Sequence, residues 1–259
     1  MKDVLRSMAM AFLMFSVVPM PRVEWKKENM RYMLACLPLV GALIALAQQL
    51  WLLLCELLGF GTLLYAAGLT LLPVLLSGGI HLDGFCDTVD ALSSHAEPAR
   101  KREILKDSHA GAFAMIFLAV YFIAVAALCA ELPRTRTAVL ALGIQQVLAR
   151  AVGALASVWF PGSTQTGLLA AFRDAAARRS AVVLALWIAA CAAALIALSP
   201  AGGIAAVLAA GLCMWYVYRM SRREFGGMSG DLAGFLITIS GAAMLLAQIA
   251  AERVSAIWF

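Results

Sequence analysis

Three aspartates set the chemical question. Asp83, Asp87 and Asp90 recur at i, i+4 and i+7 within Gly78-Gly79-Ile80-His81-Leu82-Asp83-Gly84-Phe85-Cys86-Asp87-Thr88-Val89-Asp90. On a helix that spacing lays three carboxylates along one face, within a few ångströms of each other. Like charges so placed repel one another, and a bound divalent cation removes the penalty. Hard oxygen donors without a cysteine or histidine pair beside them favour Mg²⁺, with Mn²⁺ as a substitute. Such equipment suits phosphoryl transfer. His81 is a candidate proton acceptor or a residue that orients an aspartate. Two blander readings compete. Acids near a helix start favour its dipole without any metal, but a cap needs one acid and not three on a stripe. A zinc site from His81, Asp83 and Cys86 is weakened because Cys86 falls on a different helix face from Asp83.

Two other polar segments carry candidates. In Lys106-Asp107-Ser108-His109-Ala110-Gly111-Ala112, Asp107 is a candidate fourth metal ligand, and Ser108 and His109 belong to a run whose small residues let backbone approach a phosphate. Gly226-Gly227-Met228-Ser229-Gly230-Asp231 is a glycine-rich turn entering a helix N-terminus, where backbone N–H groups bind anions. Gly226, Gly227, Ser229, Gly230 and Asp231 are the substrate-binding candidates there. Arg150, preceded by Gln145 and Gln146, stands inside an apolar run. A charge there is costly unless it faces a partner or a water-filled cavity. It reads either as a contact to an anionic substrate group or an aspartate, or as a structural ion pair. Arg100-Lys101-Arg102 reads as a lipid-headgroup anchor, and His95 as a solvated loop residue.

The elements that must position these groups are helices in a bilayer. The chain has 259 residues, 63% hydrophobic and 14% charged, against about 25% charged in soluble domains. The class is all-α: one polytopic transmembrane helical bundle over residues 1–259. Seven apolar stretches can each cross a core of roughly 30 Å: Leu34–Leu54, Gly61–Ile80, Gly111–Ala130, Ala138–Phe160, Ala181–Leu198, Ala201–Tyr218 and Leu232–Ala251. A shorter run, Val4–Val18, ends in Pro19-Met20-Pro21 with no small-x-small cleavage site after it. It reads as an interfacial or re-entrant helix.

Lys and Arg number six in residues 1–31, four in 81–110, three in 161–180 and three in 219–231, sixteen on one side; the other side holds only Arg134, Arg136 and Arg253. By the positive-inside rule the sixteen face the cytoplasm. The acidic catalytic loop (81–110) and the glycine-rich loop (219–231) are therefore expected to share the cytoplasmic side. The net charge of +5 is explained by the bilayer and not by nucleic acid. The six cysteines form no C-x-x-C pair, so neither a disulfide framework nor a zinc finger is expected.

At these residues the sequence resembles the cobalamin synthase family of ribazoletransferases. The family's H-L-D-G-x-x-D-T-x-D signature is present from His81 to Asp90. Its K/R-D-S-[RH]-x-G-[AT] segment matches Lys106–Ala112, and its G-G-x-[ST]-G-D-x-x-G segment matches Gly226–Gly234. Phe15–Pro21 and Pro38–Gly41 resemble two further family segments, so the likeness runs from about residue 10 to 250. Val17 stands where the family usually has a basic residue, and the loop Thr164–Leu168 lacks an arginine often found before its glycine. The resemblance implies a bacterial inner-membrane transferase with Mg²⁺ as cofactor. It would join adenosylcobinamide-GDP to α-ribazole, or its 5′-phosphate, and release GMP. Homo-oligomerisation stays open.

Two rivals come from other classes. A CDP-alcohol phosphotransferase needs Ala-Arg where Asp87-Thr88 stands. A transporter would place its sites at mid-depth on broken helices in symmetric halves, and no internal repeat is visible.

Overall fold

The computed structural model describes residues 2–107, 109–163, 168–176 and 178–258. The architecture is all-helical, as expected. In chain order the helices are α1 (Lys2–Phe15), α2 (Lys27–Met30), α3 (Met33–Leu58), α4 (Thr62–Ser77), α5 (Ile80–Ser93), α6 (Pro98–Ile104), α7 (Ala112–Glu131), α8 (Arg136–Trp159), α9 (Leu168–Ala175), α10 (Arg178–Leu198), α11 (Pro200–Met220) and α12 (Gly230–Trp258). A π-helical turn, Ser221–Phe225, extends α11. Helices α3, α7, α8, α10, α11 and α12 are each long and apolar enough to cross a membrane. Their outer faces carry the side chains a bilayer would solvate: on α7, Phe113, Met115, Ile116, Val120 and Ile123 all point outward.

The second expected span is where the structure departs from the sequence reading. The apolar run Gly61–Ile80 does not continue as one helix; α4 stops at Ser77 and α5 leaves at 94° to it. The hinge is Gly78-Gly79, both left-handed (φ +64° and +76°), a conformation side-chain-bearing residues resist. Taken as one broken span, α4 and α5 make the seventh crossing.

Helix α5 then runs antiparallel to the first half of α7. Asp90 meets Gly111, Cys86 shares a cavity wall with Leu118, and Phe85 packs on Tyr121 at 5.6 Å between centroids. The acidic segment is therefore a helix tucked into the bundle, not a loop beyond it. Seven residues separate Asp83 from Asp90, about 10 Å along the axis of α5 at 1.5 Å per residue.

Small residues allow the close crossings that hold this arrangement. A methyl group on Gly41 would lie 2.7 Å from the Gln146 carbonyl, and one on Gly143 would lie 2.6 Å from Ala45 Cβ, so α3 and α8 touch backbone to backbone. The N-terminal α1 is docked, not free. Ser7 Oγ donates to the Asn29 carbonyl at 2.6 Å, Met10 and Ala11 are buried, and the Val17 amide donates to Leu76 at the end of α4.

Candidate active site

The site begins with the two-faced character of α5. Gly84, Phe85, Thr88 and Val89 are buried, while Asp83 is exposed and Asp87 and Asp90 are half-buried on the other side. Burial of the apolar stripe against α7 and α12 thus aims the carboxylate stripe into the open. The crossing with α12 is the tightest part. A Cβ on Gly84 would sit 2.6 Å from the Asp231 carbonyl, and one on Gly234 would sit 2.9 Å from the His81 carbonyl. Phe85 stacks on Phe235 at 5.8 Å, and Thr238 Oγ1 donates to the His81 carbonyl at 3.2 Å. This crossing brings Asp231, from the glycine-rich segment, beside the aspartate stripe. Asp83, Asp90 and Asp231 all lie near enough to Asp87 for their charges to bear on it.

The glycine-rich turn is itself anchored. Met228 N–H donates to the Pro161 carbonyl at 2.7 Å, and Ser163 N–H returns to the Met228 carbonyl at 3.0 Å. Gly227 is at φ +147°, and a Cβ there would lie 2.5 Å from the carbonyl carbon of Gly162. Ser229 caps α12, its hydroxyl accepting from Leu232 N–H at 3.2 Å and lying within hydrogen-bonding reach of the Asp231 carboxylate. Lys101, buried on α6, pairs with Glu224 of the π-helical turn at 2.5 Å, and Arg102 approaches Gly226. The basic run therefore splits: Arg100 pairs with Glu103, and Lys101 is a tertiary strut, not a headgroup anchor.

Between these parts lies a cavity of about 340 Å³. Its walls include Asp83 and His81 of α5, Ser229, Gly230 and Asp231 of the glycine turn, Ser157 of α8, Ser163, and Arg173 of α9, with Phe15, Leu34, Leu37 and Phe172 as apolar lining. A chamber lined by carboxylates, a helix N-terminus and a single arginine among the described residues suits a charged, phosphate-bearing ligand with an apolar portion.

The comparisons decide the family. The model of cobalamin-5-phosphate synthase matches residues 7–249. The chain belongs to the cobalamin-5-phosphate synthase family. An adenosylcobinamide-GDP ribazoletransferase of Lachnoclostridium phytofermentans is 36% identical over 249 residues, covering 94% of this chain and 95% of the relative. Proteins of the same name from Geobacillus thermodenitrificans and Clostridium botulinum (strain Alaska E43 / Type E3) are 31% and 28% identical, covering 92% of this chain in each case and 92% and 95% of the relative. No solved structure matches the chain.

Within this family fold, the residues singled out in the sequence divide into groups. Asp83, His81, Ser229, Gly230 and Asp231 line the main cavity; Asp87 and Asp90 continue the stripe beyond it, with Ala114 N–H 3.4 Å from Asp90 Oδ1. Gly226 and Gly227 shape the turn without lining the cavity. Asp107 is exposed and engaged locally: its carboxylate accepts the backbone N–H of His109 at 3.0 Å and lies 2.7 Å from the His109 ring Nδ1. Those bonds hold the Asp107 carboxyl below the usual carboxylate range. Ser108 lies outside the described residues, as do 164–167.

Arg150 is absent from the main cavity and makes no ion pair among the described residues; its Nη1 donates to the Gln146 carbonyl and Oε1 at 3.0 and 3.1 Å. The His81 ring stacks on Phe15 at 5.9 Å, and neither of its nitrogens bonds an aspartate. Arg173, Ser157 and Ser163 are wall residues that the sequence reading missed. The signal for Arg173 was the amphipathic α9 following a loop without the family's usual arginine.

Among the described residues, no three His, Cys, Asp or Glu side chains converge closely enough to cage an ion as they stand. The donor set nonetheless fits Mg²⁺, which keeps several waters and is commonly held by one or two carboxylates together with substrate phosphates. A half-open stripe of oxygen donors beside the chamber meets that requirement; the zinc alternative needs at least three converging protein ligands, and His81, Asp83 and Cys86 do not converge in that way.

Proposed function

We propose that this chain is an adenosylcobinamide-GDP ribazoletransferase of a bacterial inner membrane, with its active site on the cytoplasmic side. The observation that carries the reading is the α5–α12 crossing, which sets the aspartate stripe against the glycine turn at one chamber. A ribose hydroxyl of α-ribazole, or of its 5′-phosphate, attacks the phosphorus on the corrinoid side of the diphosphate. The new P–O bond forms as the bridging P–O bond to GMP breaks, and the hydroxyl proton passes to a carboxylate of the stripe. Asp83, Asp87 and Asp90 would hold Mg²⁺, which would supply positive charge to offset the negative charge that builds on the leaving group. Asp83 and Asp231 face the chamber and orient the acceptor. The amides of Ser229 and Gly230 and the Ser229 hydroxyl grip phosphate oxygens, and Arg173 adds a cation to the same chamber.

The test uses purified protein with adenosylcobinamide-GDP, α-ribazole and Mg²⁺, following GMP and cobalamin. Replacing Asp83 or Asp87 by asparagine keeps the shape and removes the charge, and each variant is expected to lose at least two orders of magnitude in GMP release. Near-normal turnover in both would remove the stripe from the chemistry. A CDP-alcohol or lipid phosphotransferase would instead turn over without the corrinoid.

A further inference from the structure

Behind His81, away from the main chamber, lies a second cavity of about 60 Å³, walled by α4, α5, α7, α8 and α12. Its polar lining is Thr70, Ser77, His81, Tyr121, Gln146, Arg150 and Thr238. Arg150 is only 3% exposed and His81 only 8%. Arg150 Nε and both ring nitrogens of His81 find no protein partner. None of the described residues lining the cavity is acidic. The titratable groups close enough to bear on Arg150 are His81 and Tyr121, neither of which carries a negative charge near neutrality.

The available hydroxyls do not change that balance. Thr70, Ser77 and Thr238 each donate to a backbone carbonyl, at Ala66, Val74 and His81. What remains is an excess of donors around a guanidinium that stays protonated.

A charge held inside a membrane protein is normally paired or faces water. The cavity is polar and has room for about four waters, at roughly 15 Å³ each. Water satisfies the orphaned donors but leaves the positive charge uncompensated, whereas an anion does both. We propose that this cavity is a binding site for a small monovalent inorganic anion, chloride in a halide-containing medium, held by Arg150 with His81 and Gln146. The bound anion joins the last turn of α4, the first turn of α5, and α7, α8 and α12 around the Gly78-Gly79 hinge, so it fixes the angle at which α5 presents its aspartates. A phosphate oxygen of substrate shares the same chemistry. His81 and Ile237 stand between this cavity and the main chamber and line both, which favours the free ion. The inference does not rest on the substrate assignment above.

The test is thermal unfolding of the detergent-purified chain at constant ionic strength, with potassium gluconate replaced stepwise by chloride or bromide. The wild-type midpoint is expected to rise saturably with either halide. Arg150→Met, which removes the buried charge, is expected to show no saturable rise and to match or exceed wild type in gluconate. A flat wild-type response, or the same rise in Arg150→Met, overturns the proposal. So does a wild-type midpoint that rises with GMP in gluconate but not with halide, which would give Arg150 to the substrate. Should Arg150→Met fail to fold, crystals of wild type grown in bromide decide the matter. An anomalous peak beside Arg150 Nε supports the site, and a well-ordered guanidinium without one ends it.

Discussion

Arg173, on the short helix α9, is the only arginine among the described residues lining the cavity, which it shares with the Ser229–Asp231 turn. A charge-assisted hydrogen bond to a phosphate contributes about 1.5–3 kcal/mol, so Arg173→Ala is expected to raise KM for the GDP-activated substrate by about 10- to 100-fold. If the contact is made equally in ground and transition states, kcat moves little. Arg173→Lys should recover part of the affinity as a point charge without the bidentate geometry. Steady-state kinetics with varied adenosylcobinamide-GDP measures this, and an unchanged KM in Arg173→Ala would remove the residue from substrate binding. Asp107 belongs to a different class of residue. Its bonds to His109 are local and exposed, so it organises the segment before α7, and nothing in its placement brings it to the stripe.

At the scale of elements, the bundle's spans were legible because each crossing needs an uninterrupted apolar run of a length set by the bilayer. The ends of α3, α7, α8, α10, α11 and α12 fall within a few residues of those runs, apart from the longer C-terminal overhang of α12. The helical spacing of Asp83, Asp87 and Asp90 was legible too, because it is a local property of one helix. The break at Gly78-Gly79 was not, since hydropathy stays high from Val74 to Leu82 and two adjacent glycines also occur inside uninterrupted helix, as Gly202-Gly203 does in α11. Nor could the sequence place Arg173 or the second cavity, because both depend on contacts between residues far apart in the chain.

The α5–α12 crossing makes a sharp test of what positions the stripe. A methyl on Gly84 meets Asp231 backbone at 2.6 Å, whereas one on Gly211 in α11 meets nothing within 4 Å. Gly84→Ala is therefore expected to cost about 1–3 kcal/mol and to depress GMP release further by tilting the aspartates. Gly211→Ala should leave both unchanged or raise stability slightly. Equal unfolding midpoints and activities for the two variants would show that α5 is not clamped by this contact.

For the whole molecule, sidedness ties the chemistry to its substrates. The chain contacts gather the end of α5, the start of α7, the end of α8 and the start of α12 on one face, through Asp90 with Gly111, Gly162 with Met228, and Lys101 with Glu224. The segments at that end hold sixteen Lys and Arg by sequence, against three in the segments assigned to the other side. Charge distribution and three-dimensional convergence thus agree on which ends of the helices belong together, which supports the proposed cytoplasmic orientation. Nucleotide-activated and phosphorylated substrates carry charge that keeps them off the bilayer interior, so the chamber must open to the compartment that holds them. In a cysteine-free background, His109→Cys is expected to react with a membrane-impermeant thiol reagent in inverted vesicles but not in intact spheroplasts. Glu56→Cys, near the far end of α3, should show the reverse. Both positions are solvent-exposed, so access to reagent reports the side and not burial. Labelling of His109→Cys from outside intact spheroplasts would place the aspartate stripe away from cytoplasmic GDP-activated substrate, and the proposed reaction would lose its supply.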